Sequence, residues 1–495
     1  MKKYKKLMGL LLGVCVALSA IGCGSVEESK ESARDSVESS VTTESTITES
    51  STEIVDEKPY KGMEFKVMGF TTNSFFDENG KFTASPANLN AVLYAALEEW
   101  AVENECTVEF VANNGSDSLM AATTAGKAPD LVLANAVFPN FANLGLVQPI
   151  DEYVDEIGEL FGKQFLDLVK YKGRYYGVAY PWTNIYGVSY NRTKMEEMGI
   201  KTPKEYYLEG NWTMETFAQL LKECTTDTNA DGVMDTVGST WRTFSRTILP
   251  TTKMNEDGSI YSTLNDQESR DWYQTIHELY SAKCLTDDHT RASSPGLLAD
   301  GKTYQLLSYN MISPDWPDSV VRVDANGDVI EAAPIPAYKQ GEQLEVNTHD
   351  LVALIPSGAK NLEASVDMMK YALCAGMEMR SIMSMGTLEW NGGGLKGSTE
   401  ITKFLLDNYK ATADQLMGKI VALPEWDDDY VKKLIEMRNT SKLTMEMTFA
   451  GVTASVNGGT PYSNLYLLPS ATSIAECYPV HQATCDTYNN KFIFD

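Results

Sequence analysis

Histidine is scarce in this chain, and long hydrophobic runs are scarcer. His277, His289, His349 and His481 are the only four in 495 residues, and they lie far apart. With no H-E-x-x-H and no G-x-S-x-G, the readiest metalloprotease and serine-hydrolase arrangements are excluded. Beyond the N-terminal leader no apolar stretch approaches ~18 residues, which excludes a spanning helix there. Basic residues are outnumbered, 41 Lys and Arg against 68 Asp and Glu, for a formal net charge of −27. That balance disfavours nucleic acid and anionic lipid surfaces as partners and favours solubility. Cysteine forms no CxxC and no metal-type spacing: after Cys15 and Cys23 come only Cys106, Cys224, Cys284, Cys374, Cys477 and Cys485. Only Cys477 and Cys485 are near enough in sequence to suggest a local disulfide, and spacing alone leaves pairing and free thiols equally open.

What is present begins with an address. "MKKYKK" is a basic stretch, and "LMGLLLGVCVALSAIG" is apolar but too short and too rich in small residues to span a bilayer. It ends at "ALSAIGC", which resembles a bacterial lipobox, although Ala20 stands where Leu is usual. The resemblance implies a signal peptide over 1–22 and an acylated Cys23 as the first mature residue. A plain signal peptide with an incidental Cys is the alternative. Residues 24–58 hold 14 Ser or Thr and 10 Asp or Glu with no aromatic, too little apolar surface to order themselves. Residues 23–58 therefore read as the acylated Cys and a disordered tether. Removing the leader takes four lysines and no acids, so the mature charge is about −31.

The remaining 437 residues exceed what one core usually holds, so two domains are expected. "MEFKVMGF", "CTVEFV" and "PDLVLAN" read as strands. Between the first two, Leu89, Leu93, Ala96, Leu97 and Trp100 recur at a helical period. Strand–helix–strand order of this length predicts an α/β fold with a parallel sheet. Ligands in such sheets sit beyond the carboxyl ends of the strands, here near 71–75 and 135–138.

Five segments then occur in a telling order. "AGKAPDLVLANAVFPNFANLGLVQPIDEYVDE" has Gly-x-x-Pro-Asp leading into a strand. "YKGRYYGVAYPWTNIYGVSYNRTKMEEMGIKTP" carries six aromatic rings between Tyr175 and Tyr190, and "NWTMETFAQLLKECTTD" has a Trp-x-x-x-x-Phe helix. "LADGKTYQLLSYN" with "AAPIPAYKQG", and "LVALIPSGAKNLEASVDMMKYAL", follow. Together they resemble the carbohydrate-type family 1 extracellular solute-binding proteins of ABC transporters, over roughly residues 60–395. The resemblance implies a two-lobed periplasmic-binding-protein-like fold whose lobes are joined by crossing hinge segments around a ligand cleft. Lobe 1 is then expected at 59–182 plus 337–398, and lobe 2 at 183–336 plus 399–495.

The same resemblance places candidate ligand contacts. "GVAYP" should end lobe 1 and "YGVSYN" should open lobe 2, with Trp182, Asn184 and Tyr186 facing the cleft. A pyranose offers a face of C–H groups that packs on an aromatic ring while its rim hydroxyls seek planar polar groups. Trp182 and Tyr186 could form the platform and Asn184 the polar grip. Tyr175, Tyr176 and Tyr190 read as core. Asn73, Asn135 and Phe138 lie at strand ends of lobe 1. Trp241 and Arg246, then Tyr309, Asn310 and Trp316, and finally Trp390 complete the candidates, each of which packing alone could also explain.

"DTNADGVMDTVG" carries chemistry of its own. Asp227, Asn229 and Asp231 stand at positions 1, 3 and 5, Gly232 at 6, the Val233 carbonyl at 7 and Asp235 at 9. Alternate oxygens on a tight turn suit a hard Ca²⁺ ion, although Gly238 replaces the usual bidentate Glu at 12. The expectation is a structural calcium, against a plain Asn/Asp/Gly turn. The whole chain reads as a monomeric, lipid-anchored receptor on the outer face of the cytoplasmic membrane. It would bind a sugar, an oligosaccharide first, for an ABC permease, with no catalytic residue. The alternatives are a lipid-anchored carbohydrate hydrolase working with two carboxylates, or a receptor for a peptide or iron.

Overall fold

The computed structural model describes residues 58–69, 89–112, 116–135, 138–181, 185–240, 251–286, 295–298, 301–312, 317–341, 345–348, 351–388, 427–445 and 469–492. Residues 1–57, with Cys23 and the tether, lie outside it. Tyr60 to Asp495 form one compact unit. Within it two sheets and two cores define two lobes.

The first sheet starts with three parallel strands, β1 (Glu64–Gly69), β2 (Thr107–Ala112) and β3 (Leu131–Asn135). Leu351–Leu354 pairs antiparallel with β3, and Gly177–Ala179 pairs antiparallel with Leu351–Leu354 at the edge. The helix Leu89–Glu103 supplies the crossover from β1 to β2, and its period of apolar residues has a visible purpose. Leu93, Leu97 and Trp100 enter one core with Val67, Leu131, Val178, Val352 and Met369. Trp100 remains polar at one end, its indole donating to Asp367 Oδ2 at 3.0 Å, which ties this helix to the helix Leu362–Leu388. Buried aromatics carry such a polar handle at little cost when it is satisfied.

The Pro-Asp of the first sequence segment is a fastener. Asp130 is 0% exposed, and its two carboxylate oxygens accept the backbone N–H groups of Lys66 at 2.8 Å and Lys360 at 2.9 Å. One side chain thus joins β1, the start of β3 and the turn before the helix Leu362–Leu388. Asp130→Ala leaves two donors without an acceptor, at about 1–3 kcal/mol for each that stays dry. A lowered chemical-denaturation midpoint is expected, with a smaller loss in Asp130→Asn. An Ala variant as stable as the parent contradicts this role.

The second sheet is built around Ile185–Asn191, buried along its whole length. Leu307–Ile312 pairs antiparallel with it, as does Val329–Pro334, which in turn pairs with Val321–Val323. Gly187 permits this crowding, since a Cβ there would meet Ile312 Cδ1 at 2.1 Å and Ala333 O at 2.6 Å. Tyr190, Trp212, Phe217, Trp272 and Leu307 fill the core beneath. The helix Met214–Glu223 is capped by Thr213 with Thr216, and Trp212 Nε1 donates to the Pro334 carbonyl at 2.7 Å.

One expectation changes, and one open alternative is decided. Glu345–Thr348 is expected in lobe 1, yet it lies in the second sheet, parallel to Lys442–Met445 and touching Ile185 through Thr348. The return crossing therefore falls after it, between Thr348 and Leu351. Cys477 and Cys485 are not joined to each other and share the C-terminal helix Ser470–Phe492. Eight residues of helix separate them by ~12 Å of rise, beyond the ~7 Å Cα separation a disulfide spans. Among the described residues no helix is long and apolar enough to cross a membrane.

Candidate functional site

The two lobes exchange chain at adjacent places. Val352 pairs with Ala179 in the first sheet and Thr348 pairs with Ile185 in the second. The chain therefore leaves the first sheet after Ala179 and enters the second at Ile185, and it leaves the second after Thr348 and re-enters the first at Leu351, with the flanking strands paired antiparallel in both sheets. The Tyr180 N–H donates to Leu351 O at 3.0 Å at the point of departure. A third crossing follows the helix Leu362–Leu388 and reaches the helix Asp428–Thr440, whose Tyr430 and Leu434 pack with Ile185 and Ile312.

The carboxyl ends of β1 and β3 lie beside these crossings, at Gly69 and Asn135. The backbone at Gly69 is close to its neighbours: a Cβ would stand 2.7 Å from Tyr94 Oη and 3.1 Å from Leu133 O. Tyr180 is buried at the same end of the lobe, and burial pushes its phenol up, with Tyr94 adding to the effect. Tyr180 and Tyr94 belong to this rim, and the sequence-based candidates omit both. The signal for Tyr180 was its place directly before the Pro181 crossing.

The candidates fall into three groups. Phe138 is 1% exposed and packs in the lobe 1 core, its ring 6.5 Å from that of Tyr176. Its apolar ring turns inward at the strand end, which corrects its placement on the cleft wall. Tyr186 is 5% exposed on the central strand of lobe 2, so it offers no open platform here. Asn135 ends β3 opposite Leu351, and Tyr309 and Asn310 pair with Val188 and Gly187. Those three have described backbones, and their side chains lie outside the described residues. So do Asn73, Trp182, Asn184, Trp241, Arg246, Trp316 and Trp390 entirely. Tyr190, read as core, is fully buried, its hydroxyl donating to the Glu331 carboxylate.

The oxygen-rich loop is formed as its spacing requires. Asp227 Oδ2 accepts from Gly232 N at 2.9 Å, Asn229 Oδ1 from Asp231 N at 2.9 Å, and Asp231 Oδ1 from Val233 N at 2.8 Å. Gly232 has φ +83° and Ala230 has φ +59°, which produce the sharp turn. Asp227 Oδ1 is buried with no hydrogen-bond partner, the one atom there that a cation would satisfy. Asp235 turns instead to Thr228, whose hydroxyl and backbone N–H hold its carboxyl below the usual range. Among the described residues no three acidic, His or Cys side chains converge as a metal centre. The donors that fit are therefore Asp227 with Asn229, Asp231 and backbone oxygen.

Residues 95–379 match the sequence profile of the bacterial extracellular solute-binding proteins. The chain belongs to that family. Membership places this solute-binding protein outside the cytoplasm, and its two-lobed α/β architecture is the family's. The solute-binding protein is 32% identical over 83 residues to the maltotriose-binding protein of Pyrococcus abyssi. That match spans 16% of this chain and only 18% of the relative. Among solved structures, it resembles the galacto-N-biose/lacto-N-biose I-binding protein of an ABC transporter from Bifidobacterium longum, bound to lacto-N-biose. The TM-score is 0.52 at 15% identity, covering 87% of this chain and 98% of that one. A bacterial solute receptor with an exclusive preference for β-D-galactopyranose gives a TM-score of 0.50 at 16% identity, covering 88% and 99%. Likenesses at this identity concern the fold.

Proposed function

We propose that this protein is a lipid-anchored receptor that binds a carbohydrate, an oligosaccharide first, and delivers it to an ABC transporter permease. The observation that carries the reading is that the strands flanking both changes of lobe pair with each other, Ala179 with Val352 and Ile185 with Thr348, beside the carboxyl end of β3 at Asn135. Two lobes hinged there can close on a solute, and closure is a signal a permease can read. Of the aromatic run, Trp182 falls in sequence on the outgoing crossing, where a flat ring suits the C–H face of a pyranose. The sugar-binding relatives support this class of cargo. No step of chemistry on the cargo is part of the reading, and the protein acts as a monomer. A thermal-shift screen of mono- and oligosaccharides tests it, since a ligand held only by the native state raises the melting temperature. A shift with peptides or iron chelates and none with any sugar overturns the carbohydrate assignment.

The loop Asp227–Asp235 is proposed to hold a structural Ca²⁺ through Asp227, Asn229, Asp231 and the Val233 carbonyl. Bound there, the ion supplies positive charge that satisfies Asp227 Oδ1. The loop is in turn bonded to the approach of a lobe 2 strand. Tyr304 N donates to Asp235 O at 2.9 Å, Leu306 N to Val237 O at 3.0 Å, and Leu307 N to Gly238 O at 2.8 Å. Chelation of calcium is expected to lower the melting temperature, and Asp227→Ala to remove that sensitivity. Melting curves that coincide with and without chelator return the loop to a metal-free turn.

A further inference from the structure

The lobes also touch through the C-terminal helix. That helix is rooted in lobe 2. Ile474 and Cys477 enter the lobe 2 core, His481 Nδ1 lies 2.7 Å from Ser262 Oγ, and Asn489 bonds both the N–H and the carbonyl of Ile260. Its last turns then meet the Tyr171–Arg174 turn of lobe 1. The hydroxyls of Tyr488 and Tyr171 are 3.3 Å apart, and Tyr171 Oη donates on to Asn143 Oδ1 at 3.1 Å. Both rings are dry, at 2% and 3% exposure. The neighbouring Lys172 donates its ammonium to the Phe492 carbonyl at 2.6 Å, a cation at a helix C-terminus.

A second lobe 2 element seats on the same two residues. At Gly258 a Cβ would stand 2.8 Å from Lys172 Cγ and 3.0 Å from Tyr171 Cε2, so the turn between Thr252–Met254 and Ile260–Ser262 approaches closely. Met254 packs both on the lobe 1 core and on the small cluster of Ile260, Cys485 and Tyr488. The contact is thus close-packed, hydrogen-bonded and free of any covalent link.

We propose that this contact is a latch: Tyr171 and Lys172 on lobe 1, with Tyr488, Phe492 and Gly258 on lobe 2, hold the interlobe angle of the structure. Because one set belongs to each lobe, any change of interlobe angle moves the two sets relative to each other. A dry hydroxyl pair and a glycine-to-side-chain contact cannot stretch with such a rotation, because packed interfaces are bistable and not elastic. The latch therefore sets the population of each interlobe angle. For any ligand that needs one angle, apparent affinity scales with that population, so these residues tune binding from outside the cleft. The inference rests on the two-lobed architecture and not on the nature of the cargo.

Solution scattering on the ligand-free protein tests it without any ligand. Tyr488→Ala is expected to change the radius of gyration and broaden the interatomic distance distribution. Lys172→Asn should act in the same direction to a smaller extent. Asn tolerates the left-handed backbone at this position, φ +48°, so it removes the ammonium without straining the turn. If Tyr488→Ala does not fold, Lys172→Asn decides alone. Scattering curves that superimpose on the parent in the folded variants, with only a lowered melting temperature, assign the contact to packing and overturn the latch.

Discussion

Trp182→Ala is expected to weaken sugar binding about ten- to a hundredfold while leaving the chemical-denaturation midpoint in place. Pro181 is buried at the end of lobe 1 and Ile185 opens the buried central strand of lobe 2, so residue 182 lies on the crossing between two cores. A ring that serves as a sugar platform is wet until the lobes close over cargo. Truncating it removes a stacking contact of about 0.5–1.5 kcal/mol together with apolar cover. Each 1.4 kcal/mol is about tenfold in affinity, which sets the expected range. A Trp packed in a core behaves differently, since its loss costs about 3–5 kcal/mol of stability. Affinity and denaturation measured on the same variant therefore separate the two roles. Unchanged binding with a large fall in midpoint would place Trp182 in a core.

Cys23→Ala is expected to move the protein entirely from the membrane fraction to the soluble fraction, with its melting curve unaltered. The reason is that the acyl chains on Cys23 are the proposed anchor. Among the described residues no helix can span a bilayer, and a net charge near −31 opposes an anionic surface. A variant that remains in the membrane fraction contradicts acylation at Cys23 as the anchor.

Much of lobe 1 was legible because its strands show strand patterns set apart by a periodic helix. "PDLVLAN" became β3 as a buried run, and "CTVEFV" became β2 as an edge strand whose residues alternate between exposed and half-buried over Thr107–Phe110. The change of lobe between Ala179 and Ile185 was legible from the order of the family's segments. Glu345–Thr348 was not, because what decides its sheet is pairing with Lys442–Met445, about a hundred residues away. Such a partner leaves no local trace in a four-residue strand. Phe138 shows a related difficulty: a strand end can turn its aromatic inward or outward, and only the pocket beside Tyr176 decides. Cys477 and Cys485 are close in sequence but distant along one helix axis, so proximity in number left their pairing open and the helix decides it. The latch was invisible for the same reason, since Tyr171 and Tyr488 stand 317 residues apart.

The central claim is binding without turnover, and one calorimetric titration addresses it most directly. The mature protein is titrated with linear oligosaccharides, and the sugar is then recovered and analysed by chromatography. The account predicts saturation at one ligand per protein, with the oligosaccharide recovered at its original length. Shortened products formed in excess of the protein would make the chain a hydrolase and contradict the receptor.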